Sequence, residues 1–278
     1  MPTPFFELTA THNPNRWYLP LHEDLCVGPP GRSFMFGGVG LASAVQALER
    51  TCQRPLVWAT AQYLSYARPP SVVDLDVWIP AVGHNTTQAR VIGHVGEKEI
   101  FTVNAALGSR PGDVSKHWTE KPDVPGPLEC AATDHWRGDD GGLHAQIDMR
   151  LAKGNYGFNV GDAGPSPDGR LMLWMRPKGG QDIDAATLAI FADHVPSGFG
   201  NALGVNAGGN SLDNTIRIVR IVPTEWVLCD ISIHAVHGGF GHGAMRLFAE
   251  NGQLMATASQ SAIVRRHDQR AGEQAERP

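Results

Sequence analysis

An aspartate closing an apolar helix is the first residue in this chain that asks for a chemical explanation. From Ala185 to Ala192 every residue except Thr187 is apolar, and Asp193 follows with His194 beside it. A helix with no polar stripe is enclosed by protein on all sides. Pro196 biases Val195 out of the helical region, so the helix ends near Asp193. The carboxylate then sits in a last turn, where the helix dipole disfavours negative charge by about 0.3–1 kcal/mol. A solvated carboxylate at a helix end is the structural explanation. The chemical one is a general base, because burial raises a carboxyl pKa and lets it take a proton from water.

Other chemistry-bearing residues fit known sites less well. Gly38-x-Gly40 after an apolar run suggests a dinucleotide loop, but Ser43 holds the third glycine position and no parallel βαβ unit follows. Close packing of a helix on a sheet explains those glycines. His234, His237 and His242 flank a glycine-rich turn, yet His234 and His237 are three apart on a strand and point to opposite faces. No metal is expected. Ser197 in PSGFG lacks the GxSxG frame of a nucleophile elbow, and Cys229 in an apolar strand reads as a core thiol. His194 can assist proton transfer, or simply pack or cap.

The elements that must position Asp193 follow from pattern. Asp184 is an N-cap for its helix, and Gly38–Cys52 reads as a second helix whose uncharged first turns are buried. Strands are expected over 4–11, 16–21, 56–67, 72–80, 86–95 and 99–107. A further set is expected over 144–151, 170–176, 211–222, 226–236, 244–250 and 254–265, with Asn251-Gly252 as a hairpin turn. One helix followed by consecutive antiparallel strands is an α+β pattern. Residues 110–142 carry prolines, glycines and charges without periodicity and read as a linker, and 267–278 as a polar tail.

Composition narrows the partners. Net charge is -5 with no basic run beyond Arg265-Arg266, which argues against nucleic acid. No apolar segment reaches the ~18 residues that span a bilayer, and no secretory leader pattern opens the chain. Four scattered cysteines without CxxC spacing are expected as free thiols in a reducing cytosol.

The helix-then-strands order occurs twice, which suggests an internal duplication. Aligning YARPP (66–70) with IVRIV (218–222) places Arg68 and Arg220 152 residues apart, and EIFTVNAALG (99–108) against QLMATASQSA (253–262) gives an offset of 154. On these offsets Ser211 corresponds to Ala59 and Gln260 to Ala106. A buried polar group left unpaired costs about 1–3 kcal/mol, so polarity confined to the second half suggests one active half and one inert half.

A duplicated unit of helix and antiparallel strands resembles the double hot-dog arrangement of the acyl-CoA thioesterase II family. Phe36-Gly37-Gly38 is similar to that family's FGG signature, and TAQYLSYARPP (60–70) to its first strand ending in Arg-Pro. LWMR (173–176), the helix carrying Asp193, SLDNTIRIVR (211–220) and LMATASQSAIVR (254–265) follow in the family's order. The resemblance spans roughly residues 16–266. It implies a tandem α+β fold, each half a central helix wrapped by an antiparallel sheet, with 1–109 and 143–266 as the two hot-dog units. It also implies hydrolysis of acyl-CoA, no cofactor and a homo-oligomer built through the sheets.

By position, the resemblance assigns Asp193, Ser211 and Gln260 to holding the attacking water. Ser211 stands where threonine is commoner, and Val39 stands where glutamine often follows the glycine pair. Gly37, Gly38, His194, Arg68 and Arg265 are further candidates for substrate contact, the arginines through CoA phosphates. Two rival readings stand beside the hydrolase. One is a non-catalytic acyl-CoA binder. The other is an enoyl-thioester hydratase or dehydratase, which would want a His five residues after the Asp, where this chain has Gly198.

Overall fold

The computed structural model describes residues 2–29, 31–133, 142–156 and 164–266. The first half runs β1 (Thr9–Ala10), β2 (Arg16–Leu21), β3 (Cys26–Val27), β4 (Phe34–Met35), α1 (Gly37–Cys52), β5 (Leu56–Tyr63), β6 (Ser71–Val82), β7 (Thr86–Val95) and β8 (Lys98–Gly108). The second runs β9 (Ala131–Ala132), β10 (Ile147–Lys153), β11 (Arg170–Pro177), α2 (Ala185–Ala192), α3 (Gly198–Leu203), β12 (Ala207–Ser211), β13 (Asp213–Ile218), β14 (Val227–His237), β15 (Phe240–Ala249) and β16 (Leu254–Arg266).

Both halves repeat one topology. In the main sheet the order is β2-β6-β7-β8-β5 in the first half and β13-β16-β15-β14-β11 in the second, joined where β5 pairs antiparallel with β13. The result is a double hot-dog, an α+β fold with two helices held against one continuous, curved antiparallel sheet.

Helix α1 is buried from Gly38 to Leu48 apart from Gln46. A side chain at Gly40 would meet the Phe101 ring of β8 at 3.1 Å. Helix–sheet packing is thus tight at that glycine, which lies inside α1. α2 is buried along its whole length, and the Asp184 side chain caps it by accepting from Thr187 N–H at 2.7 Å. Its enclosure differs from the expectation of one helix per sheet, since α2 also packs on α1.

The stretch between the halves is not a free tether throughout. Trp174 Nε1 donates to the Pro125 carbonyl at 2.9 Å, and Val124 and Cys130 close over Trp174, Trp226, Leu228 and Phe248. This segment covers the outer face of the second half's sheet. The strand expected over 211–222 is broken. Ser211 pairs with Ala262 but Thr215 with Ser259, so one extra residue is inserted around Leu212. Such a bulge bends a strand and re-aims its side chains.

Candidate active site

Asp193 follows the last residue of α2, as the pattern of apolar residues predicts. Its environment differs from the expectation that it opposes its own helix dipole. The carboxylate reaches across to the other half, where Oδ2 accepts from Gly38 N–H at 2.6 Å, at the first turn of α1. A helix N-terminus carries partial positive charge and favours an anion. Gly37 and Gly38 permit this approach. A side chain at Gly37 would lie 2.8 Å from Asp193 Oδ2, and one at Gly38 2.9 Å from both Asp193 Cβ and the Ile190 carbonyl. Their expected contact with substrate thus gains a nearer role, since they seat the carboxylate, although Gly37 also lines the cavity.

Oδ1 of the same carboxylate gathers three side chains. Ser211 Oγ donates to it at 3.3 Å, Asn214 Nδ2 at 3.4 Å, and Gln260 Nε2 at close range. Gln260 Nε2 also donates to Ser211 Oγ at 2.7 Å. Asp193, Ser211 and Gln260 therefore meet. Asn214 is the member that sequence reasoning missed, although it lies inside the quoted SLDNTIRIVR. Behind it stands Tyr63, whose hydroxyl donates to the Gly37 carbonyl at 2.9 Å.

Burial pushes the Asp193 pKa up to about 7, against the pull of its bonds from Gln260, Gly38, Ser211 and Asn214. Desolvation outweighs four hydrogen bonds because a charged carboxylate loses most of its hydration here. Burial, assisted by nearby His144, pulls the His194 pKa down to about 3. Its Nδ1 lies 3.2 Å from the Phe191 carbonyl. A carbonyl only accepts, so Nδ1 carries the proton and His194 is neutral. Burial also drives the Tyr63 phenol well above its usual range, so it remains protonated.

A cavity of about 830 Å3 opens beside this cluster. It occupies the fork where β5 and β12 part. The last backbone hydrogen bond of the seam is Tyr63 N–H to the Leu212 carbonyl; beyond it residues 64–67 form one wall and 208–212 the other, bridged where Asn210 Nδ2 donates to the Tyr66 hydroxyl at 2.6 Å. Asp193, Ser211, His194 and Gly37 line it; Gln260 and Asn214 stand one layer behind. Phe34, Phe36 and Tyr66 supply aromatic surface. Of the two expected phosphate contacts, exposed Arg265 is at the wall, whereas Arg68 is exposed and does not line the cavity.

The seam corrects the alignment of the halves. Thr60 faces Thr215 across it, with their hydroxyls 2.7 Å apart. Thr60 pairs with Asn104 and Thr215 with Ser259, so these are equivalent rows. One residue along stand Ala59 and Ala105 in the first half, and Asn214 and Gln260 in the second. The counterpart of Gln260 is therefore Ala105, not Ala106, and the counterpart of Ala59 is Asn214, not Ser211. A one-residue slip moves a strand residue to the opposite face.

Two curved sheets joined edge to edge over paired helices, with a carboxylate in the fork, define a double hot-dog protein with a buried acid site. A family model of the acyl-CoA thioesterase C-terminal domain matches residues 125–264. The crystal structure of a protein from Novosphingobium aromaticivorans DSM 12444, assigned as a thioesterase, superposes with TM-score 0.82. It is 35% identical over 92% of this chain and 97% of its own. A hot-dog protein from Alicyclobacillus acidocaldarius superposes with TM-score 0.81 at 16% identity, over 93% of this chain and 96% of that one. For acyl-CoA thioesterase II TesB2 from Mycobacterium marinum the TM-score is 0.71 at 18% identity, over 94% and 97%. No curated protein matches the chain significantly. The chain belongs to the acyl-CoA thioesterase family, whose members hydrolyse thioesters.

Proposed function

We propose that the fork is where an acyl-CoA thioester is hydrolysed to free acid and CoA, with Asp193 as general base. The observation that carries this reading is a buried carboxylate, poised near neutrality, in the wall of an apolar cavity with a hydroxyl beside it. A water between Asp193 and Ser211 is aimed by both. Gln260 acts through its bonds to the other two, fixing the distance between base and hydroxyl. As the water oxygen bonds to the thioester carbon, its proton passes to Asp193. When the C–S bond breaks, that proton leaves with the sulfur as CoA thiol. A positioned base of this kind is worth about 10²–10⁴-fold. Neutral His194 adds no proton and serves as wall.

Thiol release from a panel of acyl-CoAs, against a no-enzyme control, tests the reading. It is sustained by turnover of at least one chain length and abandoned if every member binds without release of thiol.

A further inference from the structure

The two oxygens of Asp193 are bonded differently, and the difference matters once the carboxylate takes a proton. Oδ2 faces Gly38 N–H, a backbone donor that cannot become an acceptor. Oδ1 faces Ser211, Gln260 and Asn214. A proton on Asp193 therefore belongs on Oδ1, and one of those three neighbours must cease donating and accept. Ser211 Oγ accepts from Gln260 Nε2 and faces the cavity, where its second lone pair serves the attacking water, and inverting Gln260 would break the link to that hydroxyl. Asn214 is bound to neither; its further side-chain hydrogen bond is to the Tyr63 phenol, a hydroxyl that can donate as well as accept. Asn214 is fully buried, its Oδ1 has no hydrogen-bond partner among the described residues, and it stays out of the cavity wall.

We propose that Asn214 is a positioning residue whose amide inverts with the protonation state of Asp193. Nδ2 donates to the carboxylate, and after water's proton arrives at Asp193 Oδ1, Asn214 Oδ1 accepts from it. The inference rests on Asp193 being the base. A primary amide is suited to the task because its two ends exchange donor for acceptor by one rotation, without moving the backbone. The row of the first half that holds Ala59 has neither carboxylate nor amide, which is what coupling of the two predicts.

Among the described residues, the other titratable groups near Asp193 are Tyr63, His194, His144 and Asp213. Tyr63 on β5 stays protonated, and His194 stays neutral with His144 packed against it at 5.4 Å between rings. Asp213 on β13 is occupied by Ser261 N–H at 2.7 Å. Among the described residues, the hydrogen bonds that the Asp193 carboxylate receives from α1, β12 and β16 come from Gly38, Ser211 and Gln260. Below about pH 7 the proton thus falls on Asp193 itself.

Neutron diffraction from deuterated crystals of the full chain, grown at pH 5 and pH 9, reads the amide directly. At pH 9 the Asn214 ND2 group should face Asp193. At pH 5 a deuteron should sit on Asp193 Oδ1 with Asn214 Oδ1 turned toward it. One orientation at both pH values, or inversion of Gln260 instead, overturns the proposal. Kinetics give a second reading. Asn214→Leu preserves bulk without either polar end, so kcat should fall about tenfold or more while KM moves less than threefold. An unchanged kcat in a folded variant overturns it as well. Because diffraction is read on resting protein, failure of the inversion is distinguishable from failure of the general-base reading, which Asp193→Asn decides.

Discussion

Across the seam the two halves present the same rows with opposite chemistry. Ala59 and Ala105 stand where the second half has Asn214 and Gln260, and Gly38 stands against Asp193. The first half is nevertheless not a spectator. It supplies the Gly38 N–H under the carboxylate, the Tyr63 hydroxyl that fixes Gly37, and one wall of the cavity. Small side chains on one side make room for polar ones on the other. The lesson is that the repeated topology puts the proposed site at the junction of the two halves, with polar groups on one and clearance on the other.

Removing the clearance should damage both stability and turnover. Gly38→Ala drives a methyl into Asp193 Cβ and the Ile190 carbonyl, both 2.9 Å away. Overpacking of that kind costs about 1–3 kcal/mol, and displacing the carboxylate should lower kcat by about 10²-fold or more. Chemical melts and thiol release on the same variant separate the two effects. Gln260→Ala should cost about 10–10²-fold in kcat with a smaller change in KM, since the base remains but its geometry loosens.

Acidity sharpens the contrast further. With Asp193 as the proposed base, turnover requires its ionised form, so kcat/KM should rise through a midpoint near the Asp193 value of about 7 and level off above it. The stability sign is the reverse. A carboxyl raised from 3.8 to about 7 on folding favours the native state below the unfolded pKa, and that contribution is lost as pH rises through 7. Asp193→Asn should therefore be more stable than the parent above pH 7, by at most on the order of 4 kcal/mol. The gain should vanish toward pH 4, as read by thermal melts across pH. The mildest change is Ser211→Thr, which keeps the hydroxyl and should leave kcat within about threefold, because the added methyl meets the edge of an open cavity.

Much of this was legible in the chain. The all-apolar run 185–192 announced a buried helix, Asp184 its cap and Asn251-Gly252 its distant hairpin, because each depends on neighbours in sequence. Asp193 stood out as a residue out of place, and the family resemblance joined Ser211 and Gln260 to it. What escaped detection depends on contacts far apart in sequence. Gly38 and Asp193 are 155 residues apart. Anchoring the strand on Arg68 and Arg220 set the halves three residues out of register there, which misaligned Ser211 with Ala59 and hid Asn214. The proline-rich stretch looked like a tether because anchors such as the Pro125 carbonyl, an acceptor for Trp174, and the packed side chains of Val124 and Cys130 leave no periodic trace.

The claim that Asp193 is the base is tested most directly by Asp193→Asn. The amide keeps the shape and can still accept from Gly38, while rotation of Gln260 or Asn214, whose side-chain oxygens are both unpartnered among the described residues, lets it be satisfied at Oδ1's position. It has no proton affinity to offer water. Thiol release should fall about 10²–10⁴-fold and lose its midpoint near pH 7, while acyl-CoA affinity by calorimetry stays within a few fold. Hydrolysis at the wild-type rate in a folded Asp193→Asn protein would contradict the account.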